Sequence, residues 1–209
     1  MSKVNFNEEK RLWKQRLRRV VGLDEAGRGP LAGPVVAGAV IVRHNSYSLF
    51  KNITINDSKK LSEKQREFLY EKLTNDKNIV WGVGIVSEKI IDKINILEAS
   101  KLAMQKAIDG LWVSPEFLLL DGNFKINSNI QQKPIIKGDS KVFSICLAGI
   151  IAKVTRDRIM QKMHTKYPQY GFDKHKGYGT ALHIKNIKSF GACKIHRKTF
   201  YPVSSIARI

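Results

Sequence analysis

Residues 21 to 40 read VGLDEAGRGPLAGPVVAGAV, two apolar runs separated by a segment that cannot be helical. Pro30 and Pro34 lack a backbone N–H and clash with a preceding helical turn, so "RGPLAGP" has to be a loop. The flanking runs are therefore expected as strands, over 20 to 24 and 34 to 43, paired as a hairpin. A sheet is thus committed early in the chain. The first run stops at two adjacent acids, Asp24 and Glu25, with Gly27, Arg28 and Gly29 behind them. Adjacent strand residues point to opposite faces. The two carboxylates can converge only where the strand ends, and the glycines place that end here.

The remaining chain alternates between helical and strand patterns. Residues 7 to 17 are expected as a basic helix, a nucleic-acid arm or, in the favoured reading, an ordinary terminal helix lying on the domain, with Trp13, Leu17 and Val20 at helical spacing. Ser62 and Gln65 form a capping-box pattern ahead of a helix. "IVWGVGIVS" reads as a third strand. From 88 to 109, Ile90, Ile94, Leu97, Met104 and Ile108 follow a 3.6-residue period, with a break expected near Asn95 and Glu98. "EFLLLDGN" is a short apolar strand ending at Asp121, and "KPIIKGDSK" another ending near Asp139. "FSICLAGIIAKVTRDRIMQKMH" is a buried helix whose exposed side is expected to carry Lys153, Arg156 and Arg158. "TALHIKNIKSFG" closes as a helix stopped by Gly191. The order implies an α/β domain on a mixed sheet, over 19 to 209, preceded by a basic N-terminal segment, 1 to 18.

Asp24, Glu25, Asp121 and Asp139 therefore reach one rim from separate points of the chain. In open α/β sheets, sites collect beyond the carboxyl ends of strands. Carboxylates packed together repel unless cations lie among them, and hard Mg²⁺ or Mn²⁺ accept such oxygens. Two ions about 4 Å apart can activate water and stabilise the leaving oxygen of a phosphodiester. The partner class follows from charge: 37 Lys and Arg against 18 Asp and Glu give +19, which attracts polyanions, nucleic acid first. A Lys-, Ile- and Asn-rich residue usage accounts for part of that surplus. Other chemistries fit worse. "GRGPLA" matches a relaxed dinucleotide fingerprint, but the prolines forbid the helix it must open. Walker-type and H-E-x-x-H patterns are absent from the sequence, and His175 and His183 are expected to make structural hydrogen bonds. Cys146 and Cys193 form no CxxC pair, as expected of thiols in a reducing cytoplasm, and no apolar signal core or membrane-length run occurs.

Seven blocks, in order, carry a resemblance to a known family: "GLDEAGRGPLAGPVVAGAV", "DSKKLSEKQRE", "INILEASKLAM", "LLLDGN", "KGDSKVFSI…IIAKVTRDR", "HKGYGT" and "HRKTF". From about residue 20 to about 203 the chain resembles bacterial ribonuclease HII, the type 2 ribonuclease H. The resemblance implies a ribonuclease H-like mixed sheet flanked by helices, with a helical C-terminal part. It implies a metal-dependent endonuclease, using Mn²⁺ or Mg²⁺, that cuts the RNA strand of RNA–DNA hybrids. It also implies incision 5′ to a ribonucleotide embedded in duplex DNA, leaving 3′-hydroxyl and 5′-phosphate ends. The family's acids map onto Asp24, Glu25, Asp121 and Asp139, its glycine-arginine-glycine loop onto Gly27, Arg28 and Gly29, and its sugar-stacking tyrosine onto Tyr178. Lys59, Lys60, Lys153, Arg156 and Lys176 are expected to meet phosphates, and the enzyme to act as a cytoplasmic monomer. One departure stands out: Leu147, Ala148 and Gly149 occupy positions where the family usually has Ala-Ala-Ser. A catalytically silent nucleic-acid-binding module is the competing reading, and intact acids at all four positions argue against it. A membrane-surface protein has only the basic N-terminal helix in its favour.

Overall fold

A computed structural model describes residues 4 to 46 and 61 to 206. Its elements run α1 (Asn7–Lys14), β1 (Val20–Ala26), β2 (Val35–Val42), α2 (Glu63–Thr74), β3 (Ile79–Val86), α3 (Glu88–Asp109), β4 (Phe117–Asp121), β5 (Gln132–Ile135), α4 (Phe143–Lys166), α5 (Phe172–His175), α6 (Ala181–Phe190) and α7 (Val203–Ile206). One five-stranded sheet has the order β3-β2-β1-β4-β5. The first three strands are antiparallel neighbours; β4 and β5 join parallel to β1. The mixed sheet, the hairpin and the helical C-terminal part agree with the sequence expectation.

Strand alternation sorts the core into two faces. Val21, Leu23, Leu118 and Leu120 turn toward α3 with Ala99, Ala103 and Met104. Val40 and Val42 turn the other way, toward Leu147, Ile150 and Ile151 of α4. On that second face helix and sheet come close, because Gly22 and Gly38 have no Cβ. A methyl on either would enter the α4 backbone at Ser144 or Ala148. This close seating fixes α4, and with it the residues entering its first turns, against the end of β1.

Several local expectations need adjusting. α1 ends at Lys14, and Val20 already belongs to β1, so Trp13, Leu17 and Val20 are not one helical stripe. The buried side of α1 is instead Glu9 and Leu12. Glu9 Oε1 accepts 2.8 Å hydrogen bonds from both the backbone N–H and the hydroxyl of Ser144, capping the start of α4 from outside. α1 thus packs into the same core as the rest. The expected break in α3 is real: Asn95 has φ +67°, and its side chain accepts from the N–H groups of Leu97 and Glu98. The second half of the helix is therefore capped afresh. The Ser62–Gln65 capping box forms as read. Among the described residues no helix is long and apolar enough to cross a membrane.

Candidate active site

β1 does not end at its acids; it runs on to Ala26, with Asp24 opposite Gly38 and Glu25 opposite Ala37 of β2. What ends is the pairing on its other side. β4 follows β1 only as far as Leu23 opposite Leu120. Asp24 and Asp121 are the next residue on each strand, so they stand at the same level where the sheet opens. Asp121 Oδ1 accepts from Gly138 N–H at 2.6 Å. That bond ties β4 to the 3₁₀ turn Gly138–Ser140, which holds Asp139 just ahead of α4. Asp139 comes from this turn, since β5 already stops at Ile135.

Asp24, Glu25 and Asp139 line one pocket of about 370 Å³ with Ala26, Gly27, Arg28, Gly29, Arg66, Gly149, Ile150, Lys153 and Tyr178. Asp121 lies next to it. Burial raises the Asp24 carboxyl well above the ordinary range, and the negative charges of Glu25, Asp121 and Asp139 push the same way. Burial also raises Glu25, against the opposing pull of Arg28, whose Nη1 lies 3.2 Å from Glu25 Oε1. Glu25 Oε2 is buried without a hydrogen-bond partner. A crowded set of like-charged oxygens, one of them unpaired, suits a hard divalent cation. The donors are not drawn into a closed cage: no three His, Cys, Asp or Glu side chains among the described residues form a ready metal-ligand group.

Glycine costs a helix about 1 kcal/mol relative to alanine, and Gly149 sits inside α4. It is also part of the pocket wall, where a Cβ would fall inside contact distance of Asp24 Oδ2. The observed Asp24 carboxylate position needs glycine there.

The loop from Gly27 to Pro34 is held from behind by two arginines. Arg156 was expected on the exposed side of α4; it is fully buried. Its Nε donates to Pro34 O, Nη1 to Lys176 O and Nη2 to Ala32 O, at 2.9 to 3.0 Å. With those donors occupied inside the protein, Arg156 is not placed to meet a phosphate. Arg197, which the sequence reading did not single out, is equally buried and donates to Gly27 O, Arg28 O, Gly33 O and Pro34 O. Burial and the neighbouring Arg156 charge push the Arg197 guanidinium down to about 9.

Tyr178 is half exposed at the pocket, with Lys153 Nζ 5.8 Å and Arg156 Cζ 5.9 Å from its ring centroid. Lys153 also pairs with Asp157 at 2.8 Å. Lys176 is nearly buried, and its ammonium donates to Asp173 O. Lys59 and Lys60 lie outside the described residues. Arg66, on α2, lines the pocket and was missed; its signal was a cation on the helix that follows the capping box. Behind Tyr178, His183 and His196 are buried and linked Nε2 to Nε2 at 3.0 Å. His183 Nδ1 lies 2.9 Å from Tyr178 O, which can only accept, so Nδ1 carries its proton. His196 Nδ1 accepts from Cys193 N–H, which places its proton on Nε2, facing His183. Both rings are neutral; burial pushes each down to about 4.

The family model described as ribonuclease HII matches residues 21 to 203. A ribonuclease HII of Chlamydia muridarum is 55% identical over 93% of this chain and 88% of its own. Among solved structures, the ribonuclease H2 of Pyrococcus horikoshii superposes with a TM-score of 0.75 at 30% identity, covering 90% of this chain and 97% of that one. A Bst ribonuclease HIII solved in complex with Mn²⁺ has a TM-score of 0.67 at 17% identity, covering 93% and 72%, a likeness of fold alone.

Proposed function

The chain belongs to the ribonuclease HII family, a ribonuclease H that hydrolyses the RNA strand of RNA–DNA hybrids, and from that premise we propose how its pocket cuts. The substrate extends to a single ribonucleotide embedded in duplex DNA, incised on its 5′ side. Water attacks the phosphorus, the bond to the 3′-oxygen of the preceding nucleotide breaks, and the products are a 3′-hydroxyl and a 5′-phosphate. Asp24, Glu25, Asp121 and Asp139 would hold two divalent ions, Mg²⁺ or Mn²⁺. Bound there, such ions supply Lewis-acid polarisation of the phosphate and a more acidic water.

The chain's own groups do the rest. Arg28, which pairs with Glu25 at the pocket, reaches a phosphate of the substrate. Main-chain groups of Gly27, Arg28 and Gly29 meet the 2′-hydroxyl, which both donates and accepts and so distinguishes ribose from deoxyribose. Tyr178 lays its ring against a sugar. Lys153 and Arg66 add positive charge at the mouth. The protein acts as a monomer in a reducing cytoplasm. One observation carries the reading: Asp24, Asp139 and Glu25, whose Oε2 is buried without a hydrogen-bond partner, share a pocket with the glycine loop, and Asp121 stands level with Asp24 on the parallel strand beside it.

The test is cleavage of a labelled duplex with one ribonucleotide, beside its all-deoxy twin, with Mg²⁺, Mn²⁺ or chelator. The expected result is one metal-dependent nick 5′ to the ribonucleotide, with a 3′-hydroxyl that a polymerase extends. Cleavage in chelator, or equal cleavage of the twin, contradicts the reading.

A further inference from the structure

Arg197 sits far along the chain from the loop it touches, 169 and 170 residues from its partners Arg28 and Gly27. Its hydrogen bonds among the described residues all go to main-chain carbonyls. Nη2 donates to Gly27 O at 2.6 Å and Nη1 to Arg28 O at 2.9 Å. A trans peptide points its N–H opposite to its C=O. Fixing the Gly27 carbonyl inward therefore turns the Arg28 N–H outward, and fixing the Arg28 carbonyl inward turns the Gly29 N–H outward. Outward here is toward the pocket that Gly27, Arg28 and Gly29 line.

The anchor is reinforced. Arg197 N–H donates to Leu31 O at 2.8 Å, and Gly33 N–H donates to Ile195 O at 2.9 Å. Outside the loop, Asp92 accepts from the N–H groups of Lys198 and Thr199 and from the Thr199 hydroxyl, clamping the segment that carries Arg197. A buried cation at the carbonyl ends also polarises these peptides, which strengthens their N–H groups as donors.

We propose that Arg197 is a positioning residue for ribose recognition: by binding the Gly27 and Arg28 carbonyls it aims the Arg28 and Gly29 N–H groups at the 2′-hydroxyl and adjacent phosphate. This rests on the reading that the glycine loop meets the ribose. Lysine at 197 keeps the charge but lacks the planar fork that spans several carbonyls at once.

The experiment uses the full chain with Arg197→Lys and, separately, Asp92→Ala. It measures the single-turnover rate on a duplex with one ribonucleotide, and the affinities for that duplex and its all-deoxy twin. Amide hydrogen exchange of residues 27 to 34 is followed in parallel. Arg197→Lys is expected to slow cleavage about tenfold or more, the scale of a small misplacement near reacting atoms. Affinity for the all-deoxy twin stays within about twofold, since phosphate contacts elsewhere set it, while the preference for the ribonucleotide duplex shrinks and loop exchange speeds up. Asp92→Ala moves each quantity the same way by less. A folded Arg197→Lys enzyme with wild-type rate and preference overturns the proposal. Should Arg197→Lys fail to fold, Asp92→Ala decides, and unchanged preference with faster loop exchange overturns it. If wild-type enzyme itself does not prefer the ribonucleotide duplex, the loop reading fails first, and that outcome is seen before any variant is compared.

Discussion

Asp24 and Gly27 are three residues apart, yet burial acts on them in opposite ways. At Asp24 it gathers negative groups: Glu25, Asp121 and Asp139 all raise its proton affinity. From Gly27 to Pro34 it gathers carbonyl oxygens around two buried guanidinium groups that hold them. The acid rim is therefore electrostatically incomplete without added cations, while the loop is complete as folded. On the proposed reading, one half receives metal and the other presents fixed groups to a sugar. Function-building residues can be strained or satisfied, and the two kinds respond differently to mutation.

The largest effect is expected on the acid side. Asp24→Asn should lower the single-turnover rate on the order of 10³-fold or more, as for groups acting directly on a reacting phosphate. Duplex binding should hold or tighten, because a like charge near the phosphates is removed. In metal-free buffer the variant should melt higher than wild type, since a repelled buried carboxylate is gone. Near-normal cleavage with Mg²⁺ would remove Asp24 from the metal site.

A pair of alanines separates holding the loop from presenting it. Gly27 has φ +98°, and a Cβ there would enter Arg156. Gly27→Ala should destabilise the protein by more than about 2 kcal/mol, from strain and a displaced buried cation. A Cβ at Gly29 meets only Tyr178 Cε1, at 3.9 Å. Gly29→Ala should leave the melting temperature unchanged and slow cleavage by about 10²-fold, by putting a methyl where backbone must approach ribose. Equal loss of stability in the two would break the distinction.

These residues also show what the sequence could disclose. The acids were legible because apolar runs ending in Asp are visible locally. Their convergence comes from the early departure of β4, a fact about pairing that no single run contains. Arg156 was misplaced because, in sequence, a buried arginine looks like a surface one; its carbonyl acceptors lie 20 to 124 residues away. Arg197 was hidden for the same reason. The strand before Asp139 was expected to run on almost to it, because "KPIIK" carries β-branched residues, whereas it stops at Ile135 and the residues after it turn to enter α4.

Gly149 sharpens the comparison from the helix side. Gly149→Ala should raise helix stability by up to about 1 kcal/mol and still harm the site, because the new methyl displaces the Asp24 carboxylate. Mn²⁺ affinity, followed by calorimetry, should fall by about tenfold, the scale seen when a group orienting a ligand is lost. Unchanged affinity would mean that Asp24 relaxes without consequence.

A further effect concerns pH and lies on the loop side. Unfolded imidazoles take up protons near 6.5, whereas folded His183 and His196 do so only near 4. Between those values the unfolded chain binds more protons, so stability should fall as pH drops from about 6.5 to about 4 and level off below. Denaturation midpoints across that range check it, and His196→Asn should flatten the slope.

The most direct test of the division between a metal-receiving rim and a ribose-reading loop is equilibrium binding without turnover. Asp121→Asn and Gly29→Ala proteins are each titrated with a duplex carrying one ribonucleotide and with its all-deoxy twin. Both variants cleave more slowly, but Asp121→Asn keeps the wild-type preference for the ribonucleotide duplex and Gly29→Ala loses it. If Asp121→Asn loses the preference as well, or Gly29→Ala retains it, the rim and the loop do not divide the work as described.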